Sequence, residues 1–67
     1  MSPIELRDGL RTLGLSQVQL ARDLGVTDRT VRYWTAGTHR VPAPVVRVVR
    51  QSLERGYYLP PDGRPAA

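Results

Sequence analysis

The chain has no cysteine and no lysine. The first absence removes a disulfide framework, a thiolate zinc site and a cysteine nucleophile together. A single histidine, His39, cannot assemble a metal cluster alone. No apolar run approaches the ~20 residues that a membrane-spanning helix requires, and no signal-peptide pattern opens the chain. A soluble, cytoplasmic protein is expected. Acidic residues are few, four Asp and two Glu, and none sits in a recognisable catalytic motif. With 67 residues there is room for one domain with a thin core and little space for a concave pocket. No enzyme, metal or cofactor is expected on these grounds.

What is present is arginine: ten of them, giving a net charge of +4. The planar guanidinium donates bidentate hydrogen bonds to phosphate and to guanine edges better than an ammonium does. Excess positive charge on a small domain points toward nucleic acid or an acidic surface. A GC-rich coding sequence would also yield an Arg-rich, Lys-free chain, so charge alone leaves both readings open.

Apolar positions recur at three and four rather than at two, with helix punctuation between the runs. Ser2-Pro3-Ile4-Glu5 reads as an N-cap, a first-turn proline and a capping-box glutamate. Leu6, Leu10 and Leu13 follow within about 60° of arc, and Gly14 closes the helix. Ser16-Gln17-Val18-Gln19 repeats the capping-box spacing, with Leu15 placed to staple onto Leu20. Leu20, Ala21 and Leu24 share one face before Gly25. Thr27 caps a third helix, with Val26 and Val31 in staple positions, Val31 and Trp34 on the buried side, and Gly37 at its end. A fourth helix is expected from about residue 44, because Pro42 and Pro44 tolerate a helix start but not an interior. Its face carries Val45, Val46, Val49 and Leu53, and Gly56 ends it. The valines permit a strand, but Val-Val-Arg-Val-Val-Arg repeats at three, which favours helix. Tyr57-Tyr58-Leu59 reads as a short strand or an apolar flap, and Pro60–Ala67 as mobile.

Gln17 to Ala36 meets the requirements for two helices packed steeply across a short turn. Ala21 supplies the small residue at the crossing, Gly25 a left-handed turn position, Val26 the corner plug, and Val31 with Trp34 the anchors. Over residues 4–55 the chain resembles the Cro/repressor-type, or xenobiotic-response-element-like, helix-turn-helix regulators of bacteria and phages. The stretch L-S-Q-V-Q-L-A-R-D-L-G-V-T-D-R-T-V-R-Y-W carries the likeness, including its Ser-Gln opening and late Trp. The segment Thr38–Pro44 departs from the family's usual short polar turn. The resemblance implies an all-α, compact four-helix, lambda-repressor-like domain at 1–56. An extension at 57–67 follows, expected to be partly mobile and to contribute to dimer formation. It also implies a sequence-specific regulator of double-stranded DNA, a small repressor of its own operon, binding an inverted-repeat operator as a homodimer. No small-molecule effector is evident. The alternative is a protein-binding adaptor of antitoxin or anti-sigma type on the same fold.

On the third helix Asp28, Arg29, Arg32, Tyr33 and Ala36 fall within about 140° of arc, opposite Val31 and Trp34. With Thr27 these are the expected base-reading residues. Arg29 and Arg32 suit guanine O6/N7, Thr27 and Ala36 a thymine methyl, and Tyr33 a phosphate or base edge. Asp28 either accepts from cytosine N4, orients Arg32, or simply complements the helix dipole, the last being favoured. Phosphate contacts are expected from Gln17 (implied by the resemblance), Arg22, Thr35, Thr38, His39 and Arg40; for Gln17 and Arg22 a merely solvated surface is the competing reading. A dimer surface is expected from Val45, Val48, Val49, Tyr57, Tyr58 and Leu59, unless these residues only close the monomer's core.

Overall fold

A computed structural model describes residues 1–61, leaving the last six positions of the expected mobile tail outside the described residues. Four helices run in order: α1 Pro3–Leu13, α2 Gln17–Leu24, α3 Asp28–Ala36 and α4 Ala43–Arg55. Their starts follow local chemistry. The Ser2 hydroxyl accepts from the Glu5 amide, and a Glu5 carboxylate oxygen accepts from the Ser2 amide, each at 3.1 Å. These two bonds complete the capping box and hold the Glu5 carboxyl below its ordinary range, the backbone hydrogen bond at Ser2 contributing most. At α2 only half of the expected box forms. The Ser16 hydroxyl accepts from the Gln19 amide at 3.0 Å, but the Gln19 side chain turns instead to Asp23 Oδ1, also at 3.0 Å. A carboxylate one turn on is a charged acceptor for an amide that would otherwise reach back. Thr27 caps α3, its hydroxyl accepting from the Thr30 amide at 3.2 Å. Helix α4 has no side-chain cap and begins at Ala43, one residue before the expected start.

The turn between α2 and α3 depends on Gly25, whose φ of 75° places it in the left-handed region. The following amide of Val26 then donates to the Ala21 carbonyl at 2.9 Å. Val26 itself remains 37% exposed, so that backbone bond closes the corner more than a side-chain plug does.

Leu6, Leu10, Leu20, Ala21, Val31, Trp34, Val41, Val45 and Val49 form the core. Helix α1 packs against α3 and α4, while α2 packs against α3. The crossing of α1 and α4 is close at Gly9: a Cβ there would stand 3.1 Å from Val49 Cγ1. Val41, in the connection between α3 and α4, is buried although no helical period marked it.

Two expectations about α4 need correction, and one of the two readings of its extension is selected. Val45 and Val49, expected at a dimer surface, are 5% and 1% exposed and belong to the monomer's core. Ser52, not Leu53, takes the fully buried place near the end of α4, its hydroxyl donating to the Val48 carbonyl at 2.8 Å. Leu53 is 36% exposed. The hydroxyl can be buried there because a helical carbonyl one turn back is within reach. The segment Tyr57-Tyr58-Leu59 forms no strand and lies against the domain as a flap, with the Leu59 amide donating to Ser52 Oγ at 2.9 Å. Among the described residues, no helix is long and apolar enough to cross a membrane, and no cluster of His, Asp or Glu is arranged to hold a metal.

Candidate nucleic-acid interface

Helix α3 turns its two largest apolar side chains inward. Val31 is 0% and Trp34 5% exposed, so the indole is a core group rather than a stacking platform. The opposite face is left in solvent: Asp28, Arg29, Arg32 and Ala36 are exposed, and Tyr33 is half-buried beside them. Nine residues at about 1.5 Å each give a rod near 13 Å, comparable to the ~12 Å width of the B-DNA major groove.

Arg32 Nη2 lies 3.8 Å from Asp28 Oδ2, with 70% and 57% of the two side chains exposed. An exposed pair at one helical turn contributes only ~0.3–0.5 kcal/mol, so the guanidinium leaves it readily for a better acceptor. Asp28 also occupies the first turn of α3, where a carboxylate complements the helix dipole. The Thr27 hydroxyl is committed to the cap, bonding the Thr30 amide and lying 3.0 Å from the Thr30 hydroxyl.

After α3 the chain wraps back onto its own last turn. The amides of Thr38 and His39 both donate to the Tyr33 carbonyl, at 2.9 and 3.3 Å. The His39 ring meets the Tyr33 ring in a T-shaped arrangement, with centroids 4.8 Å apart and planes at 73°. Thr38, His39 and Arg40 are all exposed in this turn. Helix α2 places Gln17, half-buried, in its first turn, where unpaired backbone N–H groups point outward, and leaves Arg22 exposed.

Thr35 does not join this surface. It is 5% exposed, and its hydroxyl donates to the Arg32 carbonyl at 3.0 Å, which corrects the expectation of a phosphate contact. The signal was present in the spacing: Thr35 stands four residues after Val31 and so shares its buried face. Sequence reasoning also missed a long-range contact, Tyr58 hydroxyl to Asp23 Oδ2 at 2.7 Å, because 35 positions separate the partners. No local periodicity reports such a pairing.

A groove between α1 and α4 carries Glu5, Asp8, Thr12 and Arg50 around Gly9 and Leu53.

Comparison with known proteins bears on what such a surface does. A helix-turn-helix family model matches residues 6–47, more than half of the chain, and spans α1 to the first turns of α4. No curated protein and no solved structure matched the chain. The matched segment contains the whole α2–turn–α3 unit described above, and the chain belongs to the Cro/repressor-type helix-turn-helix family of DNA-binding regulators.

Proposed function

We propose that the protein is a sequence-specific repressor that lays α3 in the major groove and reads it with Arg29 and Arg32. The observation that carries this reading is the division of α3 into a buried Val31–Trp34 side and an exposed side bearing two guanidinium groups one turn apart. Each fork matches the O6 and N7 acceptors of guanine. Ala36 and the Thr27 methyl suit thymine methyl groups, and Tyr33, steadied by His39, suits a base edge or phosphate. Gln17, Arg22, Thr38, His39 and Arg40 set the register through phosphate contacts, which confer affinity but no sequence information. Asp28 acts on the helix dipole and on Arg32.

One α3 reads about half a site, so the functional species in this reading is a homodimer on an inverted repeat with half-sites ~34 Å apart. With Val45 and Val49 committed to the core, its surface falls to Tyr57, which is 56% exposed, and to the solvent-facing parts of Val48, Tyr58 and Leu59. Occupancy of an operator without catalysis is then sufficient to repress, and no effector is needed. The reading implies a cytoplasmic protein, where that DNA lies.

Selection of bound sites from random duplex tests this directly. A two-fold symmetric motif containing guanine is expected, and Arg29→Ala or Arg32→Ala each costs about 1–3 kcal/mol at one base position of each half-site. Full sequence preference in both variants would refute the reading role of these residues.

A further inference from the structure

The extension beyond α4 lies outside the matched segment, yet it is bonded into the helix-turn-helix unit. Helices α2 and α4 share no packing comparable to that of α1 with α4 or of α2 with α3. A chain of hydrogen bonds through the flap connects them instead. On α4, the buried Ser52 hydroxyl donates to the Val48 carbonyl and accepts from the Leu59 amide, which anchors the flap. Next to Leu59, the Tyr58 hydroxyl donates to Asp23 Oδ2 at 2.7 Å in a partly buried setting. The other Asp23 oxygen accepts from the Gln19 side chain, and the Gln19 amide donates to Ser16, the N-cap of α2. The links therefore run unbroken from the interior of α4 to the first turn of α2.

Asp23 is the one carboxylate of α2, in a chain whose other charges favour polyanions. Left unrestrained, it is a mobile negative charge on a helix that must approach phosphates. Neutral donors on both of its oxygens hold it in one place, and an O–H···O⁻ bond of this length is among the stronger hydrogen bonds. A helix fixed before binding also avoids the ordering cost that a loose one incurs on the duplex.

We propose that Tyr58 is a positioning residue for DNA binding: through Asp23 and Gln19 it fixes the first turn of α2 against the flap and α4, so that the packed α2–α3 unit meets the duplex in a single placement on the domain. This rests on the reading of α2 and α3 as the DNA-contacting pair.

The test uses the full chain and a duplex recovered by the site selection above. Tyr58→Phe keeps the ring and removes only the hydroxyl. Its binding, followed by fluorescence anisotropy at 20 °C, is expected to be about threefold to tenfold weaker on every duplex, with base preference retained. In an Asp23→Ala background the same change has no effect, while in Asp23→Asn, which keeps an acceptor oxygen, part of it persists. Amide exchange in the free protein is faster in the first turn of α2 and unchanged in α1. Unaltered affinity in Tyr58→Phe, even with a lowered Tm, overturns the proposal, as does an equal loss in the Asp23→Ala background. If the unaltered chain binds no duplex, it is the DNA reading that fails; amide exchange then decides the tether alone, and equal protection of α2 in Tyr58→Phe overturns it.

Discussion

Replacing Asp28 by Asn separates the stability of α3 from its function, because the two are expected to move in opposite directions. The structure sets the size of each effect. At 3.8 Å the Asp28–Arg32 attraction is about 1 kcal/mol in a water-like dielectric. With most of both side chains in solvent, screening and side-chain entropy reduce this to ~0.3–0.5 kcal/mol. Loss of the carboxylate from the first turn adds about 0.3–1 kcal/mol through the helix dipole. The summed loss of roughly 0.6–1.5 kcal/mol corresponds to a fall in Tm of about 3–10 °C for a domain of this size. Circular dichroism melts measure it. Duplex affinity, in contrast, rises about twofold to fivefold, since Arg32 no longer has to leave a partner and a negative charge is withdrawn from the phosphates. Anisotropy titrations at two salt concentrations read this gain, and it shrinks at the higher one. A tenfold loss of affinity confined to duplexes with cytosine at one position would refute the reasoning, since Asp28 would then be accepting from a base.

Two further predictions concern the scaffold. Gly9→Val places a branched side chain where even a Cβ would stand 3.1 Å from Val49 Cγ1 and 3.4 Å from Leu53 Cδ1; overpacking of α1 against α4 is expected to cost about 1–3 kcal/mol, and an unchanged denaturation midpoint would contradict the close crossing. The Glu5 carboxyl titrates below its ordinary value of 4.5 in the folded state, so its contribution is fully present above that value and is lost as pH falls through the lowered folded one. Glu5→Ala should accordingly lower Tm at neutral pH and flatten its dependence on pH in the acid range, which melts between pH 2 and 7 will show.

Much of the fold is legible locally. Ser2, Ser16 and Thr27 each place a hydroxyl where it satisfies an otherwise orphaned helix amide, and four glycines stop helices where a left-handed residue is required. These are interactions over three or four residues, so residue type and spacing suffice to predict them. The two-sided character of α3 is legible for the same reason: Val31 and Trp34 lie three apart, and the arginines fill the opposite arc. Thr35 shows the limit of reading by polarity. A hydroxyl that finds a carbonyl within its own helix can be buried, and its spacing from Val31 outweighs its polar label.

What only the tertiary structure decided are the competitions between distant groups. Whether Val45 and Val49 are buried in the monomer or await a second copy depends on how close α4 can come to α1, and Gly9 sets that distance. The choice of Gln19 between its cap and Asp23 depends on a carboxylate whose other oxygen is held by Tyr58. Residues 57–59 become a tether because Ser52 and Asp23 present one donor-hungry oxygen each at the right places in space. Helix ends are governed by neighbours along the chain, and the sequence determines them alone; which surfaces remain free for a partner is governed by neighbours across it, and those exist only once the chain has folded.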